Sequence, residues 1–144
     1  CAIAKKHRIP VIEDMAQSLG SRKAGKMSGS FGDIASLSFY PTKNLGGIGE
    51  GGMVLTKRKD LGEKVKKLRV HGMDNTPYHH ELIGINSRLD EIKACALVAK
   101  FPHLESWKKR GYKTHNSIIK TLKNCPSSSL RLGRIHPTSY ISMS

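Results

Sequence analysis

Two charged side chains in this sequence stand where reaction chemistry can use them. Asp14 closes the run Ile9-Pro10-Val11-Ile12-Glu13, so a carboxylate sits at the polar end of a strand, where it can hold a protonated nitrogen. Lys43 lies between the turn Pro41-Thr42 and the glycine-rich run Gly46 to Gly52. There a primary amine can form an imine with a carbonyl compound and afterwards carry a proton. Taken singly, each has an ordinary explanation: a turn or cap for the aspartate, solvated surface for the lysine. Their pairing is what singles them out.

Other patterns look chemical and fail on context. Gly20-Ser21-Arg22-Lys23-Ala24-Gly25-Lys26 matches the start of a P-loop, but Met27 stands where a Ser or Thr hydroxyl must reach magnesium, and no helical pattern follows. An ordinary loop is expected there. Gly47-Ile48-Gly49-Glu50-Gly51-Gly52 spells the dinucleotide fingerprint, which needs a strand before it and a helix after it; here a strand pattern follows. His79-His80 and the remaining histidines lack zinc-motif spacing, so no metal site is expected. Trp107 with Leu104 at helical spacing reads as core packing.

The elements that must position Asp14 and Lys43 follow from periodicity. Residues 1–7 read as the end of a helix, and Ile9 to Asp14 as a short buried strand. A Gly/Ser/Lys loop runs from Gly20 to Gly32, with turn signals at Ala24-Gly25 and Ser28-Gly29-Ser30. Strands are expected over Ile34 to Phe39 and Met53 to Thr56. A helix is expected over Lys59 to Val70, with Leu61, Val65 and Leu68 on one side and His71-Gly72 closing it. Another starts at Ser87, capped by Ser87 with Asp90 following, is kinked or restarted at Pro102, and continues to about Tyr112. Ser127-Ser128-Ser129 and His136-Pro137-Thr138 read as loops. Strands alternating with helices over residues 1–112 argue for an α/β layer architecture.

At 144 residues, the chain is long enough for a real core. It has no apolar run that could span a bilayer. Cys1, Cys95 and Cys125 are widely spaced, with no C-x-x-C pair, which suggests neither a disulfide framework nor a zinc site and fits a reducing cytoplasm. The first residues read as mid-helix, with no methionine and no signal core, so the natural start is expected upstream. Lys plus Arg number 25 against 11 Asp plus Glu, a net charge of +14, which is the footprint of a polyanion binder. Much of that excess, in Lys57-Arg58-Lys59, Lys64, Lys66, Lys67 and Arg69, flanks or lies on one amphipathic helix and reads as a solvated face.

Several longer segments converge. Val11-Ile12-Glu13-Asp14-Met15-Ala16-Gln17-Ser18-Leu19-Gly20, Gly32-Asp33 through Ser38-Phe39 to Lys43-Asn44-Leu45-Gly46, Gly49-Glu50-Gly51-Gly52, and Gly84-Ile85-Asn86-Ser87-Arg88-Leu89-Asp90-Glu91-Ile92-Lys93-Ala94 occur in that order. In content, order and spacing they resemble the motifs of the DegT/DnrJ/EryC1/StrS sugar aminotransferases, over roughly residues 1–112. Met15 replaces the usual alanine, Lys93 the usual glutamine and Cys95 a small residue, and Leu130 to Ser144 departs from the family's small-domain strand.

The resemblance implies part of the three-layer large domain of fold type I pyridoxal-phosphate (PLP) enzymes over residues 1–112, with the start of a small C-terminal domain over 113–144. It implies PLP as cofactor, carried on Lys43, which would also be the catalytic base. Asp14 would hold the pyridine nitrogen protonated, the condition for PLP to act as an electron sink. Gln17 would lie against the ring near its phenolic oxygen, Ser38 would donate to the phosphate, and Asn86 would reach the phosphate in a homodimeric partner's site. Glu50 and His71 would lie near the pocket with no assigned role.

The implied activity moves an amino group, typically from glutamate, to a keto group on a nucleotide-linked deoxysugar, in cell-surface polysaccharide or secondary-metabolite biosynthesis. Neither a nucleic-acid nor a membrane partner is implied. The segment is not expected to work alone, because the family's earlier phosphate-binding turn and ring-stacking aromatic would precede Cys1. Two alternatives stay open. One is a PLP sugar dehydratase of the same fold, which Lys43 argues against because such members carry histidine there. The other is a non-enzymatic basic fragment that binds nucleic acid, which lacks any helix-turn-helix, RNP-like or aromatic stacking pattern.

Overall fold

A computed structural model of the chain describes residues 1–123. The expectations for Cys125, Ser127-Ser128-Ser129 and the tail around His136 lie outside the described residues. Helix α1 (Ala2–Lys6) leads through Pro10 into strand β1 (Ile12–Asp14). A small hairpin, β2 (Arg22–Lys23) and β3 (Lys26–Met27), precedes the central strand β4 (Ile34–Ser38), and β5 (Gly52–Thr56) completes the sheet. The order is β1-β4-β5, with β1 parallel to β4 and β4 antiparallel to β5. Helix α2 (Lys59–Leu68) packs along β5. Helix α3 (Glu91–Lys100), a 3-10 turn over Phe101–His103 and the long helix α4 (Leu104–Lys123) follow.

One face of the sheet makes the core. Along β4 the alternating residues Ala35 and Leu37, followed by Phe39, are buried together with Met15, Leu45 and Leu97 of α3, the period-two pattern of a sheet covered on one side. Met15, where alanine is usual, is 1% exposed and fills the middle of that cluster. The opposite face is open. By register, Ile12, Asp14, Ile34, Ser36, Ser38 and Val54 share it, and Ile12 is 76% exposed. The expected buried strand over Ile9 to Asp14 is therefore corrected. Only Ile12–Asp14 forms a strand, it lies at the sheet edge, and no described residue covers its outer face.

Other expectations shift for identifiable reasons. The Gly20–Gly32 loop contains the β2–β3 hairpin, closed by Ala24 at φ 49° and Gly25 at φ 76°. Two left-handed residues suit the twist of a tight hairpin, but strands this short and basic carry no apolar alternation. The α3 cap is Asp90, whose carboxylate accepts from the Lys93 N–H at 2.9 Å. Ser87 instead donates its backbone N–H to the Arg69 carbonyl at 2.9 Å. Pro102 restarts the helix through its 3-10 turn, as expected, but α4 runs on to Lys123 rather than ending near Tyr112. Gly111 and the polar run Thr114 to Ser117 hide the repeat of half-buried His115, Ile119 and Leu122 at helical spacing. Trp107, expected in the core, is 38% exposed and stacks on His103 with ring centroids 5.9 Å apart.

Three of the basic residues on or beside α2 are paired on the surface. Lys66 meets Glu63 at 3.0 Å, Arg58 meets Asp60 at 2.6 Å, and Lys67 pairs with Glu81. No described helix is long and apolar enough to cross a membrane.

Candidate functional site

Glu13 and Asp33 fix the strand ends before any chemistry enters. Glu13 points to the core face, where its carboxylate accepts from the N–H groups of Gly29 (2.7 Å), Phe31 (3.0 Å) and Gly32 (3.4 Å). Burial pushes its pKa up, but these donors outweigh burial and hold it below the ordinary glutamate value. Asp33 accepts from the Val11 N–H at 2.8 Å and returns its own N–H to the Val11 carbonyl at 2.9 Å. Thr56 Oγ1 donates to the Asp33 carbonyl at 2.7 Å. The start of β1, the loop before β4 and the end of β5 are thereby tied together. Both acids lie within recognisable motifs, yet their structural task is not readable there, because the donors are backbone groups far along the chain.

The open face carries the other acid. Asp14 pairs in register with Ser36, and its backbone ladder continues as Met15 N–H donates to the Ser36 carbonyl at 2.9 Å. Ser38 lies two residues further along β4 on the same face. Asp14 and Ser38 thus share the C-terminal ends of two parallel strands, the usual location of ligand sites in α/β sheets. Asp14 is exposed, accepts only from the nearby Ala16 N–H at 2.9 Å, and makes no ion pair among the described residues. The Ser38 hydroxyl accepts from the Tyr40 N–H at 3.2 Å. Gln17 is exposed in the turn after β1.

Lys43 follows in a turn closed by its own N–H to the Tyr40 carbonyl at 2.9 Å. Its side chain is half-buried, yet the amine makes no hydrogen bond or ion pair among the described residues. The next residue ties the two segments: Asn44 Nδ2 donates to the Leu19 carbonyl at 3.1 Å. The turn continues through Gly46, where a Cβ would overlap the Pro41 carbonyl, so only glycine fits. Phe39 then accepts from the Gly47 N–H at 2.7 Å and donates to the Gly51 carbonyl at 2.9 Å.

Asn86 belongs to a different structure. The loop after α2 folds back on that helix through His71 N–H to Ile85 O at 3.0 Å and Ile85 N–H to Leu68 O at 2.9 Å. The turn depends on left-handed backbone at His71 (φ 65°) and Gly72 (φ 75°). Asn86 is exposed, and its amide oxygen accepts from Arg88 Nε at 3.0 Å. Nearby Ile83 is fully exposed, and Tyr78 and Ile85 are largely so. The same loop gathers Asp74, His79 and Glu81, with ligand-type atoms within 4.8 Å of one another. No sequence spacing announces that group, and its members are engaged: His79 with Asp74 at 2.9 Å and Glu81 with Lys67.

The donor set at the strand ends fits PLP chemically: an unpaired carboxylate for a ring nitrogen, a free amine for the aldehyde, and a hydroxyl and an amide for polar edges. An α/β layer with such groups near its strand ends is the usual setting of a ligand site. The chain belongs to the DegT/DnrJ/EryC1/StrS aminotransferase family, whose model matches residues 1–141. That match extends past residue 112, where the motif resemblance stops.

The chain is 52% identical over 106 residues to the pleiotropic regulatory protein of Geobacillus stearothermophilus. It is equally similar, over the same length, to UDP-N-acetyl-3-dehydro-alpha-D-glucosamine 3-aminotransferase of Acidithiobacillus ferrooxidans. Each match covers 74% of this chain, and the chain spans 28% of the length of either relative. DesV of S. venezuelae, solved in complex with a ketimine intermediate, matches with a TM-score of 0.81 and 38% identity, over 87% of this chain and 33% of that one.

Proposed function

We propose that this chain forms part of a PLP-dependent aminotransferase that moves an amino group from glutamate to a keto group of a nucleotide-linked deoxysugar. The observation that carries the reading is a pair of uncommitted groups, one at the end of β1 and one in the turn that follows β4. Among the described residues Asp14 has no charge partner and the Lys43 amine has no partner, and the Asn44–Leu19 bond ties their segments together. PLP, carried on Lys43 Nζ, supplies the electron sink that the reaction needs. Once the donor amine has displaced it from the cofactor, the Lys43 amine would be free to act as the base that takes the proton from the donor Cα. The Asp14 carboxylate holds the ring-nitrogen proton, Gln17 flanks the ring, and Ser38 Oγ donates to the phosphate.

Asn86 serves the phosphate in a partner subunit's site. Arg88 Nε can only donate, so its bond occupies the Asn86 amide oxygen and leaves Nδ2 as a donor. The exposed Tyr78, Ile83 and Ile85 beside it support a homodimer interface here. The family match and the named sugar aminotransferase among the relatives support the substrate class. A cytoplasmic location suits the free thiols of Cys1 and Cys95.

The test is borohydride reduction of the PLP-loaded protein followed by peptide mapping. Modification at Lys43 is expected, and its loss in Lys43→Ala together with loss of transamination. A modified lysine elsewhere overturns the reading.

A further inference from the structure

The proposed roles leave unexplained two lysines of the helical layer whose heads are committed to backbone carbonyls of the strand-end turns. Lys100, at the end of α3, donates from Nζ to the Gly46 carbonyl at 2.8 Å. Lys108, in α4, donates from Nζ to the Gly20 carbonyl at 3.1 Å and pairs with Glu105 Oε1 at 2.9 Å. Gly46 ends the turn segment that carries Lys43, and Gly20 ends the turn that carries Gln17. Both glycines are buried. Gly20 holds φ +84°, with the Lys108 Cδ lying 3.4 Å from where a Cβ would be.

A buried carbonyl needs a donor, and a charged donor gives a shorter, stronger bond than a neutral one. Glycine turns have little intrinsic preference for one conformation, so an anchor from outside the turn decides which one is held. Here the anchors come from far along the chain, on either side of the Pro102 turn, while Asn44 joins the two turns to each other.

We infer that Lys100 and Lys108 are positioning residues that hold, through charged hydrogen bonds from the helical layer, the two turns bearing Lys43 and Gln17. The inference rests on the PLP reading of those turns. It assigns to the α3–α4 segment the setting of the amine relative to the ring-flanking amide. Because the turns are linked through Asn44, the two lysines act on one unit, and their effects are expected to be less than additive.

The test uses the intact PLP-binding protein with Lys100→Met and Lys108→Met, which keep the stem and remove the charged donor, and with Lys100→Arg and Lys108→Arg, which restore a donor. Each Met variant is expected to weaken PLP binding about tenfold in absorbance titration and to slow borohydride trapping at Lys43 by a similar factor. The melting temperature should stay within a few degrees of wild type, and the Arg variants should recover much of the affinity. Wild-type trapping at Lys43 with unchanged PLP affinity in both Met variants overturns the positioning role and leaves the PLP reading intact. Trapping of the wild type at another lysine overturns both. A large loss of melting temperature in Met and Arg variants alike, with unchanged PLP affinity of the folded fraction, assigns the lysines to folding alone and also overturns the role.

Discussion

Glu13 and Asp14 are adjacent, carry the same charge and point to opposite faces of the same strand. On the core face, Glu13 spends its carboxylate on three backbone donors, among apolar side chains that are almost wholly buried. On the open face, Asp14 keeps one local bond to Ala16, beside hydroxyls that face outward. A polar group fully used by its own fold is explained by stability. One held at a strand end and left uncommitted is available for a ligand. Strand alternation is enough to divide the two roles, and the same division separates Asn44, bonded to Leu19, from its neighbour Lys43.

The sharpest way to break this comparison is Asp14→Ala. If the open face is reserved for chemistry, the substitution leaves the melting temperature nearly unchanged, because an exposed carboxylate with one local bond contributes little to folding. Turnover of the intact enzyme should fall at least ~100-fold, the scale of losing one preorganised electrostatic contact. PLP trapping at Lys43 should persist, because the amine is untouched. A loss of stability with activity retained would put Asp14 in the same category as Glu13.

Glu13→Gln should do the reverse. The amide keeps one acceptor and loses the charge, so urea unfolding should show a loss of about 1 kcal/mol, the value of a charged hydrogen bond discounted for solvent screening. The acid dependence follows from the sign of the shift. The folded-state pKa lies below the ordinary value of 4.5, so the stabilisation is complete above that value and is lost as pH falls through the folded-state pKa. The gap between wild type and Glu13→Gln should therefore be full at pH 7 and shrink below 4.5. A gap that widens in acid would reverse the assignment.

The legible parts of this chain are those in which local pattern and long-range contact agree. The β4 run Ile34 to Ser38 and the α2 stripe Leu61, Val65, Leu68 announce themselves by period, and Pro102 restarts its helix where its missing N–H requires. The α/β architecture and the family follow from motif order. What escapes the sequence depends on distant or absent partners. The outer face of β1 is bare because no described residue packs on it, which an apolar run such as Ile9 to Ile12 cannot reveal. The basic hairpin around Ala24-Gly25 is held by its turn and has no apolar alternation to show. The anchoring of Gly20 by Lys108 and of Gly46 by Lys100 spans 88 and 54 residues, beyond any local spacing rule.

The smallest effect concerns a carboxylate that belongs with Glu13 rather than with Asp14. The sequence puts the α3 cap at Ser87, whereas the folded chain uses Asp90, which accepts from the Lys93 N–H at 2.9 Å and meets the Lys93 amine at 3.2 Å. Those interactions hold its pKa below the ordinary aspartate value, the Lys93 backbone bond being the largest cause. Asp90 is exposed, so its use is local and its loss is softened by water. Asp90→Ala should lower the melting temperature by a few degrees and fray the first turn of α3, seen as faster amide exchange at Glu91 to Lys93. Ser87→Ala should leave both unchanged, because only its backbone N–H is engaged. Neither substitution should alter PLP trapping at Lys43, since neither side chain bonds to the turns that carry the site. Were Ser87→Ala the more damaging of the two, the cap would lie at Ser87 and the helix would begin earlier. An altered trapping rate in Asp90→Ala would instead couple the start of α3 to the strand ends, through the same helix that ends at Lys100.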